Sequence, residues 1–513
     1  MATRDGFLDT DLAYRWQLER FAVEVKPLRP LDISIKQIWF RALRNDALAF
    51  GKDSYKDYRI LNGFVYTRAT PSPLPPTARA EKRQAFREDC ERFLRHGSSY
   101  WHEVSLPEIE ANLDRLRRFP HEKAPQTELA GHLREAVAVY ERHWEIHWHL
   151  GNEFAIERFL NTYEQLLHGG ADEAGELLRG VPTMSTRLVD GLRGLAAIAA
   201  RSSDVATGVR KGRVPDSPEF RDALRGFLDV FGLRTGAGYG SAATLHEPTW
   251  LEHPQPVLRL VASYLDAGDR VGAITEPQLP ARKSIAGRAQ AARFRSELAA
   301  ARAASGLLED HNYYIEQLTG GALRLAVMRL ADSLVASGHL EASEDVFFLY
   351  LNELINAPLV PPELTRDRLV EHRLQYDIWS QAEPPDELGG LEPSQLVMAP
   401  PTQVREEGPV LHGIAASRGS VEGTAYVALD QESIPDVNPG EILVARNAGP
   451  LWSPLLPLLG GLVLDEGAIL QHAALLAREY SVPAVFMTRR ATAAIATGTQ
   501  VRVDGDAGTV TLL

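Results

Sequence analysis

The sequence predicts a multidomain protein in which a large, mostly α-helical part is followed by a small α/β domain. Three observations predict it. The chain has 513 residues, too many for one hydrophobic core. Apolar residues recur at helical spacing through most of residues 1–380, a region rich in Ala, Leu, Arg and Glu. Beyond a Pro-rich, aperiodic stretch, the pattern changes to short β-rich runs separated by Gly, Asn or Pro.

In chain order, the helical reading rests on stripes such as Leu323, Ala326, Val327, Leu330 and Leu334, then Val346, Phe347, Tyr350, Leu351 and Leu354. Pro71 to Pro76, Arg213 to Pro218 and Gly232 to Gly240 break the periodicity and mark loops. These features define a helical domain over residues 1–382. Residues 383–410 carry scattered prolines, glycines and acids and read as a linker, with a reach of roughly 80 Å if extended like polyproline. Residues 411–513 form the α/β domain. Its strands are expected at Thr424–Ala428, Glu441–Ala445, Gly461–Leu464, Ala484–Met487, Val501–Val503 and Thr509–Leu512, with one helix from about His472 to Tyr480.

Bulk properties exclude several classes. A net charge of −13 argues against a nucleic-acid partner, which needs a basic field to displace phosphate counterions. Cys90 is the single cysteine, so no intrachain disulfide forms. No apolar run reaches the ~20 residues that span a bilayer, and the N-terminus has acids where a secretory signal has an apolar core. The expectation is a cytoplasmic protein with no membrane partner.

The chemistry concentrates around His472. An apolar strand leads through Asp465, Glu466 and Gly467 to a histidine that opens a helix. A helix start offers unpaired backbone N–H groups and the positive end of the helix dipole, a favourable place for phosphate. Neutral imidazole is a nucleophile near pH 7 and a good leaving group, so it splits one transfer into two. Gly467 and Gln471 are candidate phosphate-binding residues. Arg478 has two readings, a phosphate ligand or a structural group at the helix end, and its distance from His472 favours the second.

The segment from Leu462 to Phe486, with HAALLAREYSVPAV at its centre and Gly449–Trp452 and Gly413–Gly419 upstream, resembles the phosphohistidine swivelling domain of phosphoenolpyruvate-utilising enzymes. Asp504–Gly505 and Gly508 extend the likeness through the whole module. The resemblance implies that His472 carries a phosphoryl group. Glu466–Gly467, where many relatives have Gly-Gly, and Gln471, where Ser or Thr is usual, depart from the family pattern.

Weaker marks run through the helical part: Tyr58–Tyr66, Glu176–Gly180, Phe231–Arg234, Trp250–Pro254, Glu309–Tyr314 and Asp345–Phe347. Together they resemble the helical substrate-binding region of rifampin phosphotransferase and its relatives, which implies an acceptor site onto which the swivelling domain docks. Arg234, in a glycine-rich turn, is a candidate grip for phosphate or carboxylate. Glu309, Asp310 and His311 beside Tyr313 and Tyr314 are candidates to take a proton from an acceptor hydroxyl. Glu247 and Trp250 are secondary candidates. His143 and His147 lie four apart on one helical face, a usable zinc spacing. The order HWEIH differs from H-E-x-x-H, so they are read as lining an acceptor pocket and no metal is expected; Trp144 and Trp148 read as pocket wall or core.

No G-x-x-x-x-G-K-[ST] loop is present, and no segment reads as a nucleotide-binding domain. The resembling enzymes place an ATP-grasp domain before the helical region. The resemblance therefore implies a separate ATP-grasp subunit that charges His472 from ATP with Mg²⁺, yielding AMP and phosphate, with neither cofactor held tightly by this chain. The acceptor is a small molecule with a hydroxyl or carboxylate. Two rival readings are a non-catalytic protein that sequesters a small molecule, and a stand-alone enzyme that uses phosphoenolpyruvate as donor.

Overall fold

Asn62 and Gly63 both have positive φ, 51° and 76°, the two left-handed positions of a tight hairpin turn. They join β2 (Ser54–Leu61) to β3 (Phe64–Pro71). With β1 (Trp16–Leu18) and β4 (Glu387–Leu388) these strands form an antiparallel sheet in the order β2-β3-β1-β4. The region read as mostly helical thus also carries a small sheet. The computed structural model describes residues 14–19, 26–96, 100–150, 153–234, 245–268, 285, 287–389, 409–429, 437–449, 452–467 and 472–513. Most of the expected linker lies outside them. Its first residues do not hang free: Gln17 pairs with Glu387, and the Tyr66 hydroxyl donates to the Pro385 carbonyl.

The helical body begins before the hairpin, with α1 (Pro30–Ala49), and continues after it. After the hairpin come α2 (Pro76–His96), α3 (Leu106–Arg117), α4 (Gln126–Trp148), α5 (Glu153–Leu167) and α6 (Ala171–Glu176). Next are α7 (Met184–Ala200), α8 (Ser203–Arg210), α9 (Pro218–Phe231), α10 (Gln255–Ala267) and α11 (Arg288–His311). The body closes with α12 (Gly320–Ala336), α13 (Leu351–Asn356) and α14 (Pro362–Ser380). Between α11 and α12 the chain stays helical but widens into a π-turn over Asn312–Thr319. The i→i+5 hydrogen bonds of a π-turn bring residues five apart onto one side, which an α-helix does not do.

The C-terminal domain is an eight-stranded sheet in the order β5-β12-β11-β7-β8-β9-β10-β6. Its strands are β5 (Val410–His412), β6 (Ile414–Ser417), β7 (Ser420–Ala428), β8 (Ile442–Ala445), β9 (Gly461–Leu464), β10 (Ala484–Phe486), β11 (Gln500–Asp504) and β12 (Thr509–Leu512). The runs read from the sequence correspond to β7 to β12; β5 and β6 add to them. Strands β7 to β10 run parallel, and the flanking pairs are antiparallel. The sheet curls until its two end strands meet in sequence at the single residue Gly413. A β-carbon there would lie 2.3 Å from the Phe486 carbonyl, so only glycine fits the joint.

Alternation along the strands divides the buried residues into two layers. Val444, Val463 and Val485 fill one core with Val501 and Val503. Leu443, Leu462 and Ala484 face the other way, into a large cluster that also contains α15 (His472–Glu479) and residues of the helical body such as Leu188, Val261 and Leu323. Every α15 residue after His472 is buried, as expected of a helix covered on all sides. No helix among the described residues is long and apolar enough to cross a membrane.

Candidate functional site

Gly467 leaves β9 with φ 134°, a backbone conformation side chains avoid, and the chain re-enters the described residues at His472, the first residue of α15. Gln471 lies outside the described residues. The stretch that leaves β9 is anchored by Asp465. Its carboxylate accepts hydrogen bonds from the Thr488 hydroxyl at 3.0 Å and from the backbone and side chain of Thr492, and its own N–H donates to Ala445.

The His472 ring points into the helical body. Its Nδ1 lies 2.6 Å from Glu309 Oε1, and both side chains are more than nine-tenths buried. The other Glu309 oxygen accepts from the Ser185 hydroxyl at 3.0 Å. Among the described residues neither the His472 ring nitrogens nor Glu309 Oε1 make a hydrogen bond of good geometry, so the two side chains meet as a close ion-pair contact. Nδ1 thus faces a carboxylate, and the ring is buried against the helical half.

Glu309 is the next-to-last acid of α11, and the π-turn directly follows it. Asp310 accepts from the Met184 N–H at 2.7 Å, and burial pushes its carboxyl up to about 6. His311 Nδ1 lies 2.8 Å from the Leu307 carbonyl, and its Nε2 lies 3.2 Å from Nε2 of His147 on α4. His147 Nε2 is also 3.1 Å from Glu316 Oε1, from the middle of the π-turn. Burial pushes the Glu316 carboxyl up to about 7, and it lowers both imidazoles to about 3, so both histidines are neutral. Lys36 of α1, packed 4.4 Å over the Trp39 ring, is the nearby cation, and burial brings its ammonium down to about 8.

The remaining candidates are placed as follows. His143 is fully buried one turn before His147. The Thr319 hydroxyl donates to the Tyr314 carbonyl, so it accepts from His143 Nδ1 at 2.7 Å, and His143 Nε2 accepts from Asn112 at 3.2 Å. With both nitrogens engaged, His143 fastens α4 to the π-turn and offers no group to an acceptor. Arg234 is buried, with its guanidinium 5.0 Å over the Trp250 ring; burial lowers its pKa to about 9. The glycines that follow it lie outside the described residues. Arg478 is buried six residues along α15, about 9 Å from His472 along the axis. Its Nε donates to the Ala416 carbonyl at 2.8 Å, so the structure does not bring it to the His472 ring. A cleft of about 440 Å3, lined by Trp101, Glu108, Arg142, Glu145 and His149, lies on another side of α4 and includes neither His472 nor Glu309.

Sequence reasoning missed Glu316 and Ser185. Ser185 has no signal of its own. Glu316 follows His311 by five positions, a spacing that means separate faces on an α-helix and a shared one only in a π-turn.

Among the described residues, polar contacts join the two halves besides the His472–Glu309 pair. The Gly180 N–H donates to both oxygens of Glu479, at 2.8 and 2.9 Å. Arg179 donates to the Ser481 hydroxyl at 3.0 Å, and the Tyr264 hydroxyl donates to the Pro454 carbonyl at 2.7 Å.

Two known protein families match stretches of the chain. Residues 437–508 match the mobile domain of PEP-utilising enzymes, and residues 152–329 match the rifampicin phosphotransferase fourth domain. Chondramide synthase cmdD of Chondromyces crocatus is 28% identical over 95% of this chain and 13% of its own length. An uncharacterized phosphotransferase of Bacillus subtilis, YvkC, is 31% identical over 41% of this chain and 26% of its own. A rifampicin phosphotransferase of a Streptomyces species is 32% identical over 59% of this chain and 35% of its own. The chain thus spans about a third or less of the length of each of these relatives.

Proposed function

Because the chain carries a phosphoenolpyruvate-utiliser mobile domain behind a rifampicin phosphotransferase fourth domain, we propose that it is the carrier and acceptor-binding part of a phosphotransferase. His472 takes up a phosphoryl group and delivers it to a small-molecule hydroxyl or carboxylate held by the helical body. The observation that carries this reading is the His472–Glu309 contact across the two halves.

The chemistry follows from the two ring nitrogens. With Nδ1 facing the Glu309 carboxylate, the reacting lone pair is that of Nε2, which attacks phosphorus as the bond to the donor's leaving oxygen breaks. In the second step the acceptor oxygen attacks phosphorus and the P–N bond breaks, returning its electron pair to Nε2. Glu309 stabilises the protonated phosphoimidazole, the better leaving group. Asp310, raised to about 6, suits the base that takes the acceptor's proton.

The donor in this reading is an ATP-grasp nucleotide-binding partner that uses ATP and Mg²⁺. Mixing the purified chain with such a partner and labelled ATP tests it. Acid-labile label is expected on the wild type and none on His472→Ala, with product formation lost in that variant. Undiminished turnover by His472→Ala refutes the proposal, and labelling by phosphoenolpyruvate alone replaces the donor.

A further inference from the structure

The Leu307 carbonyl can only accept, so His311 donates its Nδ1–H there, and its Nε2 in the neutral ring carries a lone pair and no proton. That lone pair faces Nε2 of His147 at 3.2 Å, and the same His147 nitrogen lies 3.1 Å from the Glu316 carboxylate. One ring nitrogen bears at most one hydrogen, so it serves one of these neighbours well and not both. Nothing on the opposite side of the His147 ring fixes its tautomer, because Nδ1 has no hydrogen-bond partner among the described residues. The three donor atoms all lie within 4.8 Å of one another. Donors bound at about 2.0–2.1 Å to a tetrahedral ion stand about 3.3 Å apart, close to the two shorter spacings observed.

We propose that His147, His311 and Glu316 form a divalent transition-metal site, with Zn²⁺ the best fit to two imidazoles and one carboxylate. The hydrogen bond from His311 to Leu307 is the kind of support that orients a ligating imidazole. Three protein ligands leave a tetrahedral ion one open position. The location gives the ion a purpose. The docked His472 ring meets a surface that holds Glu309, Asp310 and Glu316, and a phosphoryl group brought there faces like charge. A dication bound by Glu316 offsets that repulsion.

The test uses the full chain, stripped with chelator, without ATP or acceptor, so its outcome is independent of phosphorylation at His472. Calorimetric titration with Zn²⁺ is expected to show about one ion per chain, bound with at least tenfold loss of affinity in His311→Gln and Glu316→Gln. His121→Gln, away from the cluster, should bind like the wild type. Zn²⁺ is also expected to raise the melting temperature of the wild type and not of the two variants. X-ray absorption on the Zn-loaded wild type should show two imidazole ligands, a readout that needs no variant to fold. Absence of stoichiometric uptake by the wild type, equal uptake by both folded variants, or a different imidazole count overturns the proposal.

Discussion

Glu309 and Glu316 lie two turns apart on one rod of helix and do different work. Glu309 touches the His472 ring. Glu309→Gln keeps the shape and removes the charge that favours a protonated Nδ1, so single-turnover transfer from phosphorylated protein to acceptor is expected to slow by about a hundredfold or more. A rate within twofold of wild type would leave Glu309 as a packing residue only. For Glu316 the sign of the pH effect is fixed by burial. Its carboxyl rises from an ordinary 4.5 to about 7, so the folded chain keeps a proton that the unfolded chain releases. The stability this contributes is fully present below about pH 4.5 and is lost as pH rises through about 7, by up to about 3 kcal/mol. Urea unfolding at pH 4.5, 6 and 8 should show that loss in the wild type relative to Glu316→Gln; a pH-independent difference would contradict it. His147 and His311, lowered to about 3, titrate well below this window and do not change charge between pH 4.5 and 8 in the folded chain. At this scale His472, Glu309, His311 and His147 were legible from residue type and family pattern. Glu316 was not, because an α-helical wheel sends it elsewhere.

The same contrast holds for elements. Strands β7 to β12 were readable because each is a short apolar run between turn residues. Strands β5 and β6 were not, since three or four residues either side of Gly413 carry too little alternation. The β2–β3 hairpin was legible in principle: Asn62–Gly63 between alternating residues is a strong hairpin signal, but the surrounding helical periodicity overrode it. No sequence rule located the π-turn, which is a tertiary outcome. His143 fastens it to α4 through Thr319, beside the His147–Glu316 contact. His143→Ala leaves the Asn112 amide and the Thr319 hydroxyl without their partner and opens a cavity, so a loss of about 2–3 kcal/mol is expected in chemical unfolding. A loss below about 0.5 kcal/mol would mean the π-turn is held by other contacts.

For the whole molecule, the question is how a small domain rests on a large one and still departs. The contacts between halves include single hydrogen bonds from Arg179 and Tyr264, the paired bonds at Glu479 and an ion pair between Arg418 and Glu173, around an apolar cluster shared by both halves. Glu479→Ala strands the Gly180 N–H. Delivery to the acceptor should then slow, while loading of His472 by an ATP-grasp donor stays near wild type. Equal slowing of both half-reactions would show that Glu479 serves the fold of the carrier and not its landing.

The Glu479 carboxylate grips a peptide N–H at Gly180, a group every residue but proline possesses. A clasp made to main chain recognises the path of the polypeptide and is indifferent to the side chains nearby. On the proposed function, residues that select the acceptor are then free to be exchanged, one by one, to suit a new alcohol or acid, while the carrier goes on landing in the same berth.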